Sequence, residues 1–205
     1  MISPEFSTGV TLLLYGLASA SGIAGMVARS PFWRRTCCCL AAAGFVFQTI
    51  SLATGFHKAL PDGLSLGAYL QLMAWFVVLC GLASWGKFRQ EAPLIFASPL
   101  GLMLFAMSAP YLQAVVQVPA HLKASFYALH IGTLFLSLAL MALAFAAGSL
   151  FLFLEARIKS KQYMKGFWQD MPALAILDKI NDFATIVAYP LYTLGILSGV
   201  IWAKP

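Results

Sequence analysis

The sequence predicts an all-α membrane protein, a single bundle of about six transmembrane helices with both termini on the outer face. Three observations carry this. Of the 205 residues, 61% are hydrophobic and 10% charged, with a mean hydropathy of +0.85, a balance unlike that of soluble domains. The apolar residues gather into six runs, at about 8–28, 36–56, 64–85, 93–111, 126–154 and 183–203, each long enough to cross a hydrocarbon core of about 30 Å. Basic residues are confined to alternate loops. Arg29, Arg34, Arg35, Lys87, Arg89, Arg157, Lys159, Lys161, Lys165 and Lys179 fall on one side, while only Lys58, Lys123 and Lys204 fall on the other. The excess marks the cytoplasmic side and turns both ends outward.

Span one follows Met1-Ile2-Ser3-Pro4-Glu5, which has no early Lys or Arg. A cleaved leader needs a basic start, so this span is expected to be a retained anchor. Its Gly16, Ser19, Gly22 and Gly25 form a small-residue face, as do Gly195 and Gly199 of span six. Such faces permit close helix approach, within the chain or between copies. Trp33 and Trp85 fall near inner ends of spans and Tyr111 and Trp202 near outer ends, as an aromatic belt places them. Span five runs on into Leu154-Glu155-Ala156-Arg157-Ile158-Lys159, so it tilts or projects into the cytoplasm. The connector 155–182 continues past Pro172 with Leu174, Ile176, Leu177 and Ile180 set against Asp178, Lys179, Asn181 and Asp182. That pattern is expected to give a short interfacial helix, resting on headgroups or docking a partner. No repeat or linker divides residues 1–205.

Chemistry is sparse. Cys37, Cys38, Cys39 and Cys80 lack the C-x-x-C spacing of metal and redox sites and read as small apolar residues. There is no Gly-rich phosphate loop, G-x-S-x-G or H-E-x-x-H, the signatures of phosphate binding, hydrolysis and zinc proteolysis. Carboxylates lie outside the spans or at their ends, which argues against a proton-coupled transporter of small solutes. The charge distribution points to the lipid bilayer and not to nucleic acid. Gln48, Thr49 and Gln71 lie within spans, where they either line a pathway or bond helix to helix.

The three histidines, His57, His121 and His130, all fall at or near the outer side, and His130 is embedded about one turn inside span five. An ionisable side chain within a span is costly and is a functional-site hypothesis by default; a hydrogen bond to a neighbouring helix is the competing explanation. Two histidines on different helices could ligate a haem iron axially, His130 and His57 being the candidates for both cofactor and metal. Phe56, Phe126 and Tyr127 would supply apolar surroundings, and Lys58 and Lys123 would face the propionates. A zinc site lacks the usual ligand set.

Leu129-His130-Ile131, then Leu152-Phe153-Leu154-Glu155-Ala156-Arg157-Ile158-Lys159, then Met171-Pro172-Ala173-Leu174-Ala175-Ile176-Leu177-Asp178 and Leu194-Gly195-Ile196-Leu197-Ser198-Gly199-Val200-Ile201-Trp202-Ala203 resemble, in that order, the CcsA/HemX-like cytochrome c assembly family. The resemblance is clearest over 126–203; the earlier spans match in topology and in a histidine at the outer end of span two. It implies a polytopic protein of a bacterial-type inner membrane that binds haem, expected as haem b, through histidines near the outer face and presents it to apocytochrome c. His130 matches the family's outer-face histidine at the start of this span, and His57 stands where another family histidine would.

Family members typically continue into a tryptophan-rich W-G-x-x-W-x-W-D segment, whereas this sequence ends at Lys204-Pro205. That leaves a short form, a split product, or a subunit that obtains the segment from another assembly subunit. The expectation is haem delivery or regulation, not an enzyme acting on its own. The alternative is a HemX-like membrane scaffold or regulator that contacts a soluble haem-synthesis enzyme through 155–182, with Lys159, Lys161 and Lys165 in the contact.

Overall fold

The structure, a computed structural model, describes residues 4–59, 65–114, 124–161 and 171–202, with side chains at 4–5, 55–59, 124–128 and 202 outside the description. Among the described residues six helices follow one another: α1 (Pro4–Val27), α2 (Pro31–Ala59), α3 (Leu66–Phe88), α4 (Ala92–Ser108), α5 (Ala124–Lys159) and α6 (Leu174–Trp202). Each is long and apolar enough to cross a membrane. A 3-10 turn, Ala109–Tyr111, extends α4. The all-α membrane bundle read from the sequence is therefore the fold.

Consecutive helices pair as α1 with α2, α3 with α4 and α5 with α6; α4 then packs on α1, and α3 on α5. Packing contacts fix the directions. Gly22 of α1 approaches Cys37 and Ile95, and Tyr15 meets the Phe105 ring edge-on at 6.3 Å, so α4 runs antiparallel to α1. Tyr69 meets Phe135 at 6.4 Å, and Val77 and Cys80 share a core with Ala139, Leu143 and Ala147, so α5 runs parallel to α3. One end of the bundle thus holds the starts of α1, α3 and α5 and the finishes of α2, α4 and α6.

At the opposite end α1, α3 and α5 terminate alike. Arg29, Arg89 and Lys161 each sit just past a helix in the left-handed region, with φ of 54°, 54° and 52°. Glycine is the usual occupant of such a cap because it has no Cβ to strain there. A basic side chain gives up that ease, but its charge suits the negative end of a helix. The same end is tied across helices by Arg34 Nε to Glu91 Oε2 at 3.6 Å and by the Lys87 ammonium 3.2 Å above the Phe183 ring.

Two cores flank α3. One, built by α1 to α4, holds Tyr15, Ala18, Cys37, Cys38, Ala41, Val78, Leu94 and Ile95. Within it the Tyr15 hydroxyl donates to Gln48 Oε1 at 2.5 Å, and Gln48 Nε2 donates to the Gln71 carbonyl at 2.8 Å. Trp75 Nε1 donates to Thr49 Oγ1 at 2.7 Å. Gln48 is 1% exposed. Of the two roles open to these polar residues, Gln48 and Thr49 fill the interhelical one. Cys37, Cys38 and Cys80 are buried, and all four cysteines are free.

The second core joins α3 and α4 to α5 and α6, and it reveals a departure from expectation. Residues 174–182 are not a separate interfacial helix but the first turns of α6, which runs unbroken to Trp202. Their apolar side is spent inside the chain: Leu177 and Ile180 are buried, with Ile180 in the core beside Leu143 and Ala147. The amphipathic pattern reflects helix pairing because α5, at 36 residues, is about 54 Å long and outlasts the hydrocarbon core, giving α6 a surface to pack on there.

Gln48→Leu is expected to lower stability by about 1–3 kcal/mol, the cost of leaving a buried hydroxyl without its acceptor. Gly16→Ala, at a glycine with open space around it, should leave the unfolding temperature of the detergent-purified protein unchanged, and a Gln48→Leu protein that melts like wild type would contradict the network's role.

Candidate functional site

Of the histidines picked out in the sequence, His130 is the one whose side chain the structure describes. It lies six residues into α5, at the end of the bundle shared with the finish of α2. His57 occupies the last turn of α2 at that same end, with its side chain outside the described residues. His121, Lys123 and the side chains of Phe56, Lys58, Phe126 and Tyr127 also lie outside them. The helix pairing brings His130 against α6, whereas α2 packs on α1, α3 and α4. Among the described residues no cluster of three or more His, Cys, Asp or Glu is placed to hold a metal ion.

His130 stands against the span-six glycines. Its Nδ1 is 2.7 Å from the Gly195 carbonyl oxygen and 3.2 Å from Ser198 Oγ. The Ser198 hydroxyl in turn donates to the same carbonyl at 2.8 Å. A carbonyl oxygen can only accept, so at 2.7 Å the Nδ1 nitrogen carries the hydrogen and donates it.

The close approach depends on glycine at two positions. A Cβ on Gly199 would stand 2.7 Å from His130 Cε1, and one on Gly195 would stand 2.5 Å from Leu134 Cδ2. The Gly195/Gly199 face is therefore an intramolecular seam with α5. The α1 face divides: Gly22 and Gly25 meet the α2 start, while nothing approaches Gly16. Ser198, 7% exposed, escaped the sequence reading, although a serine inside a G-x-x-x-G stretch opposite an embedded histidine was a usable signal.

A family model described as Cytochrome C assembly protein matches residues 63–205. The chain belongs to that family. The match takes in α3 to α6, and so reaches further upstream than the resemblance read over 126–203; it includes His130 and leaves α1, α2 and His57 outside. No curated protein and no solved structure matches the chain significantly. Membership gives the protein a role in cytochrome c biogenesis as a multi-pass membrane protein, and family members handle haem.

The donor set at this seam fits that group in one respect that the structure displays. An imidazole whose Nδ1–H is held by a backbone carbonyl offers Nε2 as its Lewis base, the arrangement typical of metal-bound histidine. The seam is also fragile. Gly199→Val is expected to lower the unfolding temperature by several degrees, whereas Gly132→Val on α5, where nothing lies within 4 Å, should not. Equal melting of the two variants would contradict the close approach.

Proposed function

We propose that this cytochrome c assembly protein binds haem near the outer face of a bacterial-type inner membrane, with His130 as an axial ligand. The observation that carries the reading is an imidazole embedded in a membrane helix, inside the family-matched segment, and held by the backbone of the neighbouring helix at 2.7 Å. His57 is the proposed second ligand. It ends α2 at the same end of the bundle as the start of α5, and it lies upstream of the matched residues.

Bound haem would supply an iron that accepts imidazole nitrogen; the protein's part is to orient His130 and to surround the group with apolar residues. Haem b is the proposed form, since C-x-x-C-H, the attachment motif for covalent haem, does not occur in the sequence. The basic loops are placed in the cytoplasm and both termini outside, by the charge bias. The partners are a haem source and another subunit of the assembly machinery. The HemX-like alternative has less to stand on, because the apolar side of 174–182 packs on α5.

The test is the visible spectrum of detergent-purified protein, oxidised and dithionite-reduced, with and without added haem. Wild type should show a sharp low-spin haem spectrum, His130→Ala should lose it, and His57→Ala should convert it to another ligation state. A wild type that stays colourless with added haem would overturn the proposal.

A further inference from the structure

We infer that the start of α2 is a binding site for one anionic phospholipid of the cytoplasmic leaflet, with Arg35 on its phosphate and an acyl chain in the groove below, a site apart from His130. A groove of about 550 Å³ opens there on the outside of the bundle, lined by Pro31, Phe32, Arg35, Thr36, Cys39 and Leu40. It lies at the end of the bundle that the charge bias places in the cytoplasm, and at the positive end of the α2 dipole.

Two adjacent arginines divide the work at this end. Arg34 turns inward, where its Nε lies 3.6 Å from Glu91 Oε2 and its side chain is 21% exposed. Arg35, about 100° further round the helix, is exposed, and among the described residues no carboxylate pairs with it. Thr36, also in the lining, commits its hydroxyl to the Phe32 carbonyl at 2.9 Å. The Arg35 guanidinium is therefore the polar group that the groove offers a ligand, and its fork of N–H donors matches a phosphate.

Below Arg35 the outward face of α2 continues through Cys39, Ala43, Val46 and Ile50, all exposed and spaced as one helical face. The small side chains of Cys39 and Ala43 lie between the larger Phe32 and Val46, which are 68% and 57% exposed, so the strip is recessed there. From Arg35 to Val46 the helix rises about 16 Å, close to the depth of one leaflet of a hydrocarbon core about 30 Å thick. A cation at the head of a recessed apolar strip one leaflet long fits a phospholipid, whereas free phosphate would use only its upper part. The sign of the charge selects the headgroup. A net negative headgroup suits Arg35 and the helix dipole, and basic pockets on the cytoplasmic side of membrane proteins bind such lipids; the ammonium of a choline headgroup would be repelled by both.

The test is native mass spectrometry of the full chain in detergent, titrated with phosphatidylglycerol or with phosphatidylcholine carrying the same acyl chains, on variants whose helix content matches wild type. Wild type is expected to take up one phosphatidylglycerol about fivefold more tightly than phosphatidylcholine, the effect of one basic residue near a lipid surface. Arg35→Gln should lose that preference. Lys161→Gln, which removes an exposed charge at the same end, should keep it. Cys39→Phe, which fills the groove from an exposed position, should weaken phosphatidylglycerol binding with Arg35 still in place. Equal affinity of wild type for the two lipids, or a preference that survives Arg35→Gln, would overturn the inference. A preference lost as fully in Lys161→Gln would show a diffuse charge effect and overturn the site. Cys39→Phe that binds phosphatidylglycerol as tightly as wild type would refute the acyl groove, and displacement of the lipid by an equal concentration of inorganic phosphate would refute a lipid as the occupant.

Discussion

The site depends on one constraint, the close approach of α5 and α6 where α6 has no side chains to hold them apart. Gly195 and Gly199 leave room for Leu134 and the His130 ring, and the ring then reaches a backbone carbonyl at 2.7 Å. In a membrane, helix association gains little from the hydrophobic effect and relies on packing and interhelical hydrogen bonds. The seam combines both, and it turns the cost of an embedded imidazole into a bond that orients it.

The rest of the bundle supports that seam from a distance. The α1 to α4 unit is held by its own polar links, from Tyr15 through Gln48 to α3, and α3 carries a core on either side. Val78 belongs to the first and Val77 and Cys80 to the second, so adjacent residues of one helix bind α5 and α6 to the remainder. The opposite end is gathered by Arg34–Glu91 and Lys87–Phe183. His130 thus sits at one end of a hairpin whose far end is anchored through α6 and α3.

Much of the fold was legible because membrane helices declare themselves by length and apolarity, and six such runs became six helices. Boundaries were less so. Pro31 to Arg35 looked like loop because of its charges, yet α2 begins at Pro31, as a proline at the first helical turn allows. Residues 174–182 looked interfacial because hydrophobic periodicity is the same whether the apolar face rests on lipid or on a helix. His130 was legible as an embedded ionisable residue, and the glycines as a close-approach face. Their meeting was not, since periodicity on one helix carries no information about the register of another. Ser198 gave a weaker signal, since a serine in a membrane helix ordinarily bonds its own backbone, as Ser198 also does.

The central claim is that the α5–α6 seam holds His130, the proposed haem ligand, in position. The most direct measurement is a haem titration of Gly199→Ala beside wild type, on monodisperse protein whose helix content matches. The added methyl would stand 2.7 Å from His130 Cε1 and must move the ring, so the account predicts weakened binding, about 10-fold or more. Gly199→Ala that binds haem as tightly as wild type, with the same spectrum, would contradict it.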